Sequence, residues 1–278
     1  MSRKAAVLQQ DVVSGAAPVS VEPAESQELE SNNGAEAIQA AYYRQTANRY
    51  DAMHNSMEGH EHNVSLAFID AVSSLYQLET FLDVGAGTGR GVEFLASRGK
   101  SVKGVEPVAE LIEAGVRRGV PRGAILQGSG LSLPFADGSV DAVLECGVLH
   151  HVPQPEKVIA EMMRVARKAV FLSDCNRFGQ GSPMARLVKL ALYKANLWNA
   201  ARYVQTKGKM YSISEGDGLY YSYSVYDSYA QLAAWADKIW LMPAHESGAK
   251  QDGNWLHPLL TSSHVLLCAV KEPSGSHN

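Results

Sequence analysis

Cysteine is scarce: the 278-residue chain has three, Cys146, Cys175 and Cys268. They are too few and too scattered for a disulfide framework or a zinc site. Each lies in or just after an apolar run, so buried thiols are expected. Long apolar runs are missing too. With no stretch of about 18 uncharged apolar residues, no membrane span and no stable membrane insertion are expected. The start, MSRKAAVLQQDVV, has a basic pair but an apolar run too short for a secretory signal, and a cytoplasmic location is expected. Nor does charge of one sign dominate. The formal charge of −4 comes from residues 1–36, where six acids face only Arg3 and Lys4, leaving 23 bases and 23 acids in the body. Without a basic excess, nucleic acid is not an expected partner.

What is present is a graded organisation. Residues 1–34 lack aromatics, contain Gly15, Pro18 and Pro23, and read as a disordered tail. Residues 35–78 read as an N-terminal helical cap, with helices over AEAIQAAYYRQTANRYDAMH and NVSLAFIDAVSSLY. An α/β alternation follows: strands TFLDV, SVKGVE, AILQG, VDAVLEC and AVFLSD alternate with helices around GVEFLASR, AELIEAGVRRG and EKVIAEMMRVARK. Strand starts about 15 to 30 residues apart are the spacing of crossover units. The fold class expected is a doubly wound, Rossmann-like sheet with helices on both faces, its core over 79–176. Residues 177–225 show no clear strand and read as a Tyr-rich helical or irregular insertion after the fifth strand, opening with one helix over PMARLVKLALYKANLWNAARYV. The core resumes over 226–273 with SYAQLAAWADKIW as a helix and SSHVLLCAVKE as a final strand; 274–278 is a tail.

In open sheets of this kind, ligands lie beyond the carboxyl ends of the strands. Gly85, Gly87 and Gly89 sit there, in DVGAGTGR. A dinucleotide fingerprint would place glycine at position 90, where this chain has Arg90, and that counts against a nicotinamide oxidoreductase. Glu106 ends the second strand, 21 residues after Gly85. A carboxylate there can accept hydrogen bonds from both ribose hydroxyls, so glycine loop and acid together indicate an adenosine-containing ligand.

With these motifs in place, the chain resembles the class I S-adenosylmethionine-dependent methyltransferases. The resemblance is carried by LDVGAGTGR (82–90), VKGVEP (102–107), ILQGSGLSLPF (125–135) and SVDAVLECGVLHHV (139–152), the last two similar to a quinone-biosynthesis-like small-molecule subgroup. It implies S-adenosylmethionine as cofactor, held by Asp83, Gly85, Ala86, Gly87, Glu106, Pro107, Ser129, Gly130, Cys146 and Gly147. Tyr50, beside Asp51, resembles the family's segment that closes over the cofactor. Ser129 stands where the family often has an acid for the adenine amino group, so base recognition is expected to lean on backbone groups.

A sulfonium methyl is already electrophilic, so the protein mainly aligns a nucleophile and excludes water. His150 and His151, beyond the fourth strand, are the candidate bases, with scaffold and capping as the alternative. Asp174 and Asn176, at the end of the fifth strand, and Tyr221 and Tyr223, in GLYYSYS, are candidates for binding substrate. His54, His60 and His62 lack a third spaced ligand, and no metal site is expected. The basic, apolar stretch 185–204, with Arg186, Lys189, Lys194 and Arg202, reads as a lid with solvated charges, or else as a surface for lipid. The expected activity is methyl transfer to an oxygen, nitrogen or carbon of a small molecule, in the biosynthesis of a specialised metabolite. The alternative is a cofactor-binding regulatory or assembly protein without turnover.

Overall fold

The computed structural model describes residues 37–39, 41–46, 57–214, 216–244 and 261–272. The tails expected over 1–34 and 274–278, and the candidate Tyr50, lie outside them. In chain order the elements are α1 (Met57–Tyr76), β1 (Thr80–Val84), α2 (Arg90–Ser97), β2 (Ser101–Glu106), α3 (Ala109–Arg118), β3 (Ile125–Gln127), β4 (Val140–Cys146), α4 (Pro155–Val165) and β5 (Ala166–Cys175). Then follow α5 (Pro183–Lys194), α6 (Trp198–Gln205), β6 (Tyr211–Ser214), β7 (Gly218–Tyr221), α7 (Tyr229–Ala233), β8 (Lys238–Pro243) and β9 (His264–Val270). Residues 37–39 and 41–46 are also helical.

Seven strands form one sheet in the order β3-β2-β1-β4-β5-β9-β8. The first five are parallel, and β9 runs antiparallel to both β5 and β8. The sheet is Rossmann-like, as the alternation in the sequence implies. Its central strands are apolar almost throughout because helices cover both faces. Alternation along each strand sorts the side chains: Leu82, Val84, Val170 and Leu172 pack with Val158, Ile159 and Met162 of α4. Phe81, Ala169 and Phe171 point the other way, onto Leu66 and Ile69 of α1 and Leu95 of α2. The order reverses between β1 and β4, which opens the ligand crevice at their carboxyl ends.

MEGHEH, which holds His60 and His62, is the start of α1. Three expectations about elements are corrected. The single helix over 183–204 is two, because Asn196 takes φ of +58° and ends the first turn sequence there. The insertion contains a β6–β7 hairpin. SYAQLAAWADKIW is helical only over Tyr229–Ala233; Ile239–Met242 pairs with β9 as an edge strand. Ile and Trp suit a half-buried pleated surface at least as well as a helix, and the open edge of β9 decides between them.

Candidate active site

The glycine loop is pinned to the neighbouring strand. Gly85 N and Ala86 N both donate to Val105 O, at 2.8 and 3.0 Å. Gly85 has φ of +72°, and a Cβ there would lie 2.3 Å from Val148 Cγ2, so both conformation and space require glycine. Glu106 is buried behind the loop: its Oε2 accepts from Gly87 N at 2.9 Å and its Oε1 from Val108 N at 3.0 Å. Each oxygen keeps a further lone pair for a ligand. Burial nevertheless pushes Glu106 up to about 7. Asp83 is also raised to about 7, by burial and then by the charge of Glu106.

A slot of about 110 Å³ opens over this corner, lined by Gly87, Glu106, Pro107, Ser129, Gly130 and apolar side chains that include Val108 and Leu111. Ser129 Oγ accepts from Leu131 N at 3.2 Å, so the hydroxyl also shapes its own loop. Beyond it lies a larger cavity of about 650 Å³, whose floor includes Asp83, Ala86, Arg90 and His150 and whose roof comes from the insertion. Gly85, Cys146, Gly147, His151 and Tyr43 line both spaces, making them two parts of one site. Ten of the candidate cofactor residues therefore converge; Tyr50 lies outside the described residues.

The histidines form a wired cluster beyond β4. Asp174, fully buried, accepts from the backbone N–H of Leu149 at 2.9 Å and of His150 at 3.2 Å. Its other oxygen meets His150 Nδ1 at 2.6 Å, so that nitrogen carries a proton, and the residue lines the large cavity. Asp217, from the β6–β7 turn, reaches His150 Nε2 at 3.3 Å and His151 Nε2 at 3.4 Å. Burial alone would lower His150; the two carboxylates outweigh it and hold the imidazole well above its ordinary value. His151 moves the opposite way, lowered by burial and by His150. His151 Nδ1 donates to Leu219 O at 2.6 Å, and Tyr43 Oη lies 3.2 Å from its Nε2. His151 thus joins the N-terminal helical residues, β4 and the hairpin while lining both spaces, and His150 lines the large cavity. His150, His151 and Asp217 also offer three ligand atoms within 4.8 Å of one another, as do His150, Asp174 and Cys175.

Among the substrate candidates, Tyr221 and Tyr223 line the large cavity. Tyr223 is largely core, its hydroxyl sharing a hydrogen bond with Ser228 Oγ at 2.7 Å. Asp174 and Asn176 do not reach the cavity wall. Asn176 is fully buried, donating to Ser262 O and accepting from Phe178 N and Ser224 Oγ. Their expected contact with substrate is corrected to a supporting role, because every polar atom is engaged by protein. Of the other histidines, His54 lies outside the described residues, as does the side chain of His60. His62 is half-buried, edge-on to His264, and desolvation lowers it well below its ordinary value.

Sequence reasoning missed Asp217, Gln39, Glu145 and the inward turn of the insertion's cations. Gln39 ties the hairpin down, accepting from Leu219 N at 2.7 Å. Glu145 Oε2 accepts from Val148 N at 2.9 Å, and burial together with Asp174 raises it well above the carboxylate range. An acid inside the apolar strand VDAVLEC was the available signal for Glu145; Asp217 and Gln39 are brought in only by tertiary structure.

Residues 82–173 match the family model described as a methyltransferase domain. An uncharacterized methyltransferase of Mycobacterium marinum is 33% identical over 150 residues, covering 50% of this chain and 59% of that protein. One from a Mycobacterium species is 46% identical over 88 residues, 32% of this chain and 34% of the relative. The chain thus matches about three-fifths or less of these relatives' own length. Among solved structures, magnesium protoporphyrin IX methyltransferase from Synechocystis, with bound SAH, superposes with a TM-score of 0.55 at 15% identity, over 85% of this chain and 100% of that one. A SAM-dependent methyltransferase from Thermotoga maritima gives 0.53 at 17% identity, over 84% and 100%. At these identities the likeness shows the fold.

Proposed function

We propose that the protein moves the methyl group of S-adenosylmethionine to a nucleophile of a small molecule held in the large cavity. The observation that carries this reading is the wall shared by the two spaces. Glu106 would hold the ribose of a nucleoside in the slot, and Gly85 and Gly147, which line both spaces, would hold the part of the donor that reaches the large cavity. Slot and residues fit the cofactor: the main chain is bare at Gly85, a buried carboxylate stands behind it, and apolar side chains face a flat base. When bound, the cofactor supplies an electrophilic methyl group; the chain's residues do the rest. The loop orients the donor, the insertion excludes water, and Asp174 holds His150 at Nδ1, so that Nε2 can take a proton from the acceptor once the imidazolium has lost its own.

The quinone-biosynthesis-like placement and a role in a specialised metabolite belong to this proposal. The Leu133-Pro134-Phe135 trio behind the finer resemblance serves the scaffold: Arg164 donates to the carbonyls of Leu133 and Phe135 at 3.1 and 2.8 Å. It therefore says little about the acceptor.

Incubation with methyl-labelled cofactor and a panel of phenols, amines and carbon acids tests the reading. Label should pass to an acceptor and be lost in Glu106→Ala, which removes the ribose partner. Cofactor binding that Glu106→Ala leaves intact would contradict the assigned site.

A further inference from the structure

The roof of the large cavity is cationic. Arg177, which follows β5, Lys189 of α5 and Arg202 of α6 all line it, with Trp198 beside them. Arg177 is 6% exposed and Arg202 9%. Arg177 is ion-paired with Asp227 and donates to Ser222 O. Arg202 has no carboxylate partner among the described residues: it meets Gln205 Oε1 at 3.0 Å and Ser212 Oγ at 3.5 Å. Among the described residues, Lys189 donates to the carbonyls of Arg177 and Gln180, at 3.0 and 3.2 Å. Burial and the neighbouring Arg177, Arg186 and Arg202 push Lys189 below its ordinary value. Three buried donors, Arg177 Nε, Arg202 Nε and Trp198 Nε1, have no acceptor among the described residues.

Three cations sharing the single carboxylate of Asp227, beside unmet N–H groups, are costly unless an acceptor arrives. Two of the cavity's acids are engaged elsewhere, Asp217 on the histidine pair and Glu61 on His264 at 3.2 Å, and Asp83 is buried near Glu106. We propose that the methyl acceptor carries an oxyanion group, carboxylate or phosphate, which Arg177, Lys189, Arg202 and Trp198 bind at the roof while its nucleophile faces His150. Guanidinium and indole N–H groups suit oxyanion oxygens, and the planar fork of arginine can meet two of them at once. This rests on the reading of the large cavity as the acceptor's place and narrows the acceptor to an organic anion.

Titration calorimetry on the full chain saturated with S-adenosylhomocysteine tests it, using 4-hydroxybenzoate, phenyl phosphate and neutral 4-hydroxybenzamide as probes. At least one anion should bind at least tenfold more tightly than the amide, and the preferred anion tells carboxylate from phosphate. The preference should fall at least tenfold in Arg202→Gln and in Lys189→Gln. Both variants should bind S-adenosylhomocysteine as the parent does and should melt at or above its temperature, since each relieves like-charge crowding. Equal binding of acid and amide, no anion binding up to about 10 mM, or a preference unchanged in both variants would overturn the proposal. If instead S-adenosylhomocysteine itself bound more weakly to the two variants, the roof would belong to the cofactor's own carboxylate and the proposal would fail, with the cofactor reading intact. Absence of S-adenosylhomocysteine binding to the parent protein would remove the cofactor reading and this proposal with it.

Discussion

At the scale of single residues, the site is governed by acids almost wholly withdrawn from water. Asp83 and Glu106 both rest near 7 because burial disfavours their charge. A ribose diol donates hydrogen bonds and favours the ionised form of Glu106. Binding of S-adenosylhomocysteine should therefore release protons below about pH 7 and weaken as the pH falls. Calorimetry in buffers of different ionisation heat measures this, and proton uptake would contradict it. The same shifts act on folding. The native state keeps these two protons after the unfolded chain has lost its own, so between about pH 4 and 7 their contribution to stability falls as pH rises. Gly85 is the other decisive residue. Gly85→Ala places a methyl 2.3 Å from Val148 Cγ2 at a positive φ. The substitution should cost about 1–3 kcal/mol of stability by urea titration and weaken nucleotide binding.

At the scale of elements, the β6–β7 hairpin brings a second carboxylate to the histidine that β4 presents. If His150 takes the acceptor's proton, the rate of methyl transfer should rise with pH as the imidazolium loses its proton, above the ordinary histidine range. Asp217→Ala removes one of the two carboxylates that hold the proton on. The rise should then move to lower pH, which a pH–rate profile or the imidazole NMR signal reads; an unmoved midpoint would detach Asp217 from His150.

The hairpin also marks where the sequence stops being legible. The five parallel strands, the glycine loop and Glu106 follow local rules of periodicity, turn chemistry and spacing, and they stand where the pattern places them. Asp217 lies 67 residues beyond His150 and meets it only because the insertion folds back. No periodicity records that contact. Strand β8 was hidden for a related reason: KIWLM suits a helix face or a pleated edge, and only pairing with β9 decides. Lys189 and Arg202 looked like solvated lid charges because a basic helix usually turns its cations outward. Here Leu187, Val188, Leu197 and Val204 are the exposed residues, while Arg202 is buried.

At the scale of the whole molecule, one sheet separates two apolar layers, and the reversal of strand order at β1 and β4 leaves a crevice that the insertion roofs. The N-terminal helical residues, the hairpin and the His150-His151 turn are locked through Gln39, Tyr43 and Leu219, so these three parts of the chain shape slot and cavity together. No described helix is long and apolar enough to cross a membrane. The central claim is that the small slot receives the nucleoside and the large cavity the acceptor. Titration of S-adenosylhomocysteine into the parent protein and Glu106→Ala tests it most directly. The account predicts one site per chain, weakened at least tenfold, about 1.4 kcal/mol, by the substitution; no binding, or equal affinity in both proteins, would contradict it.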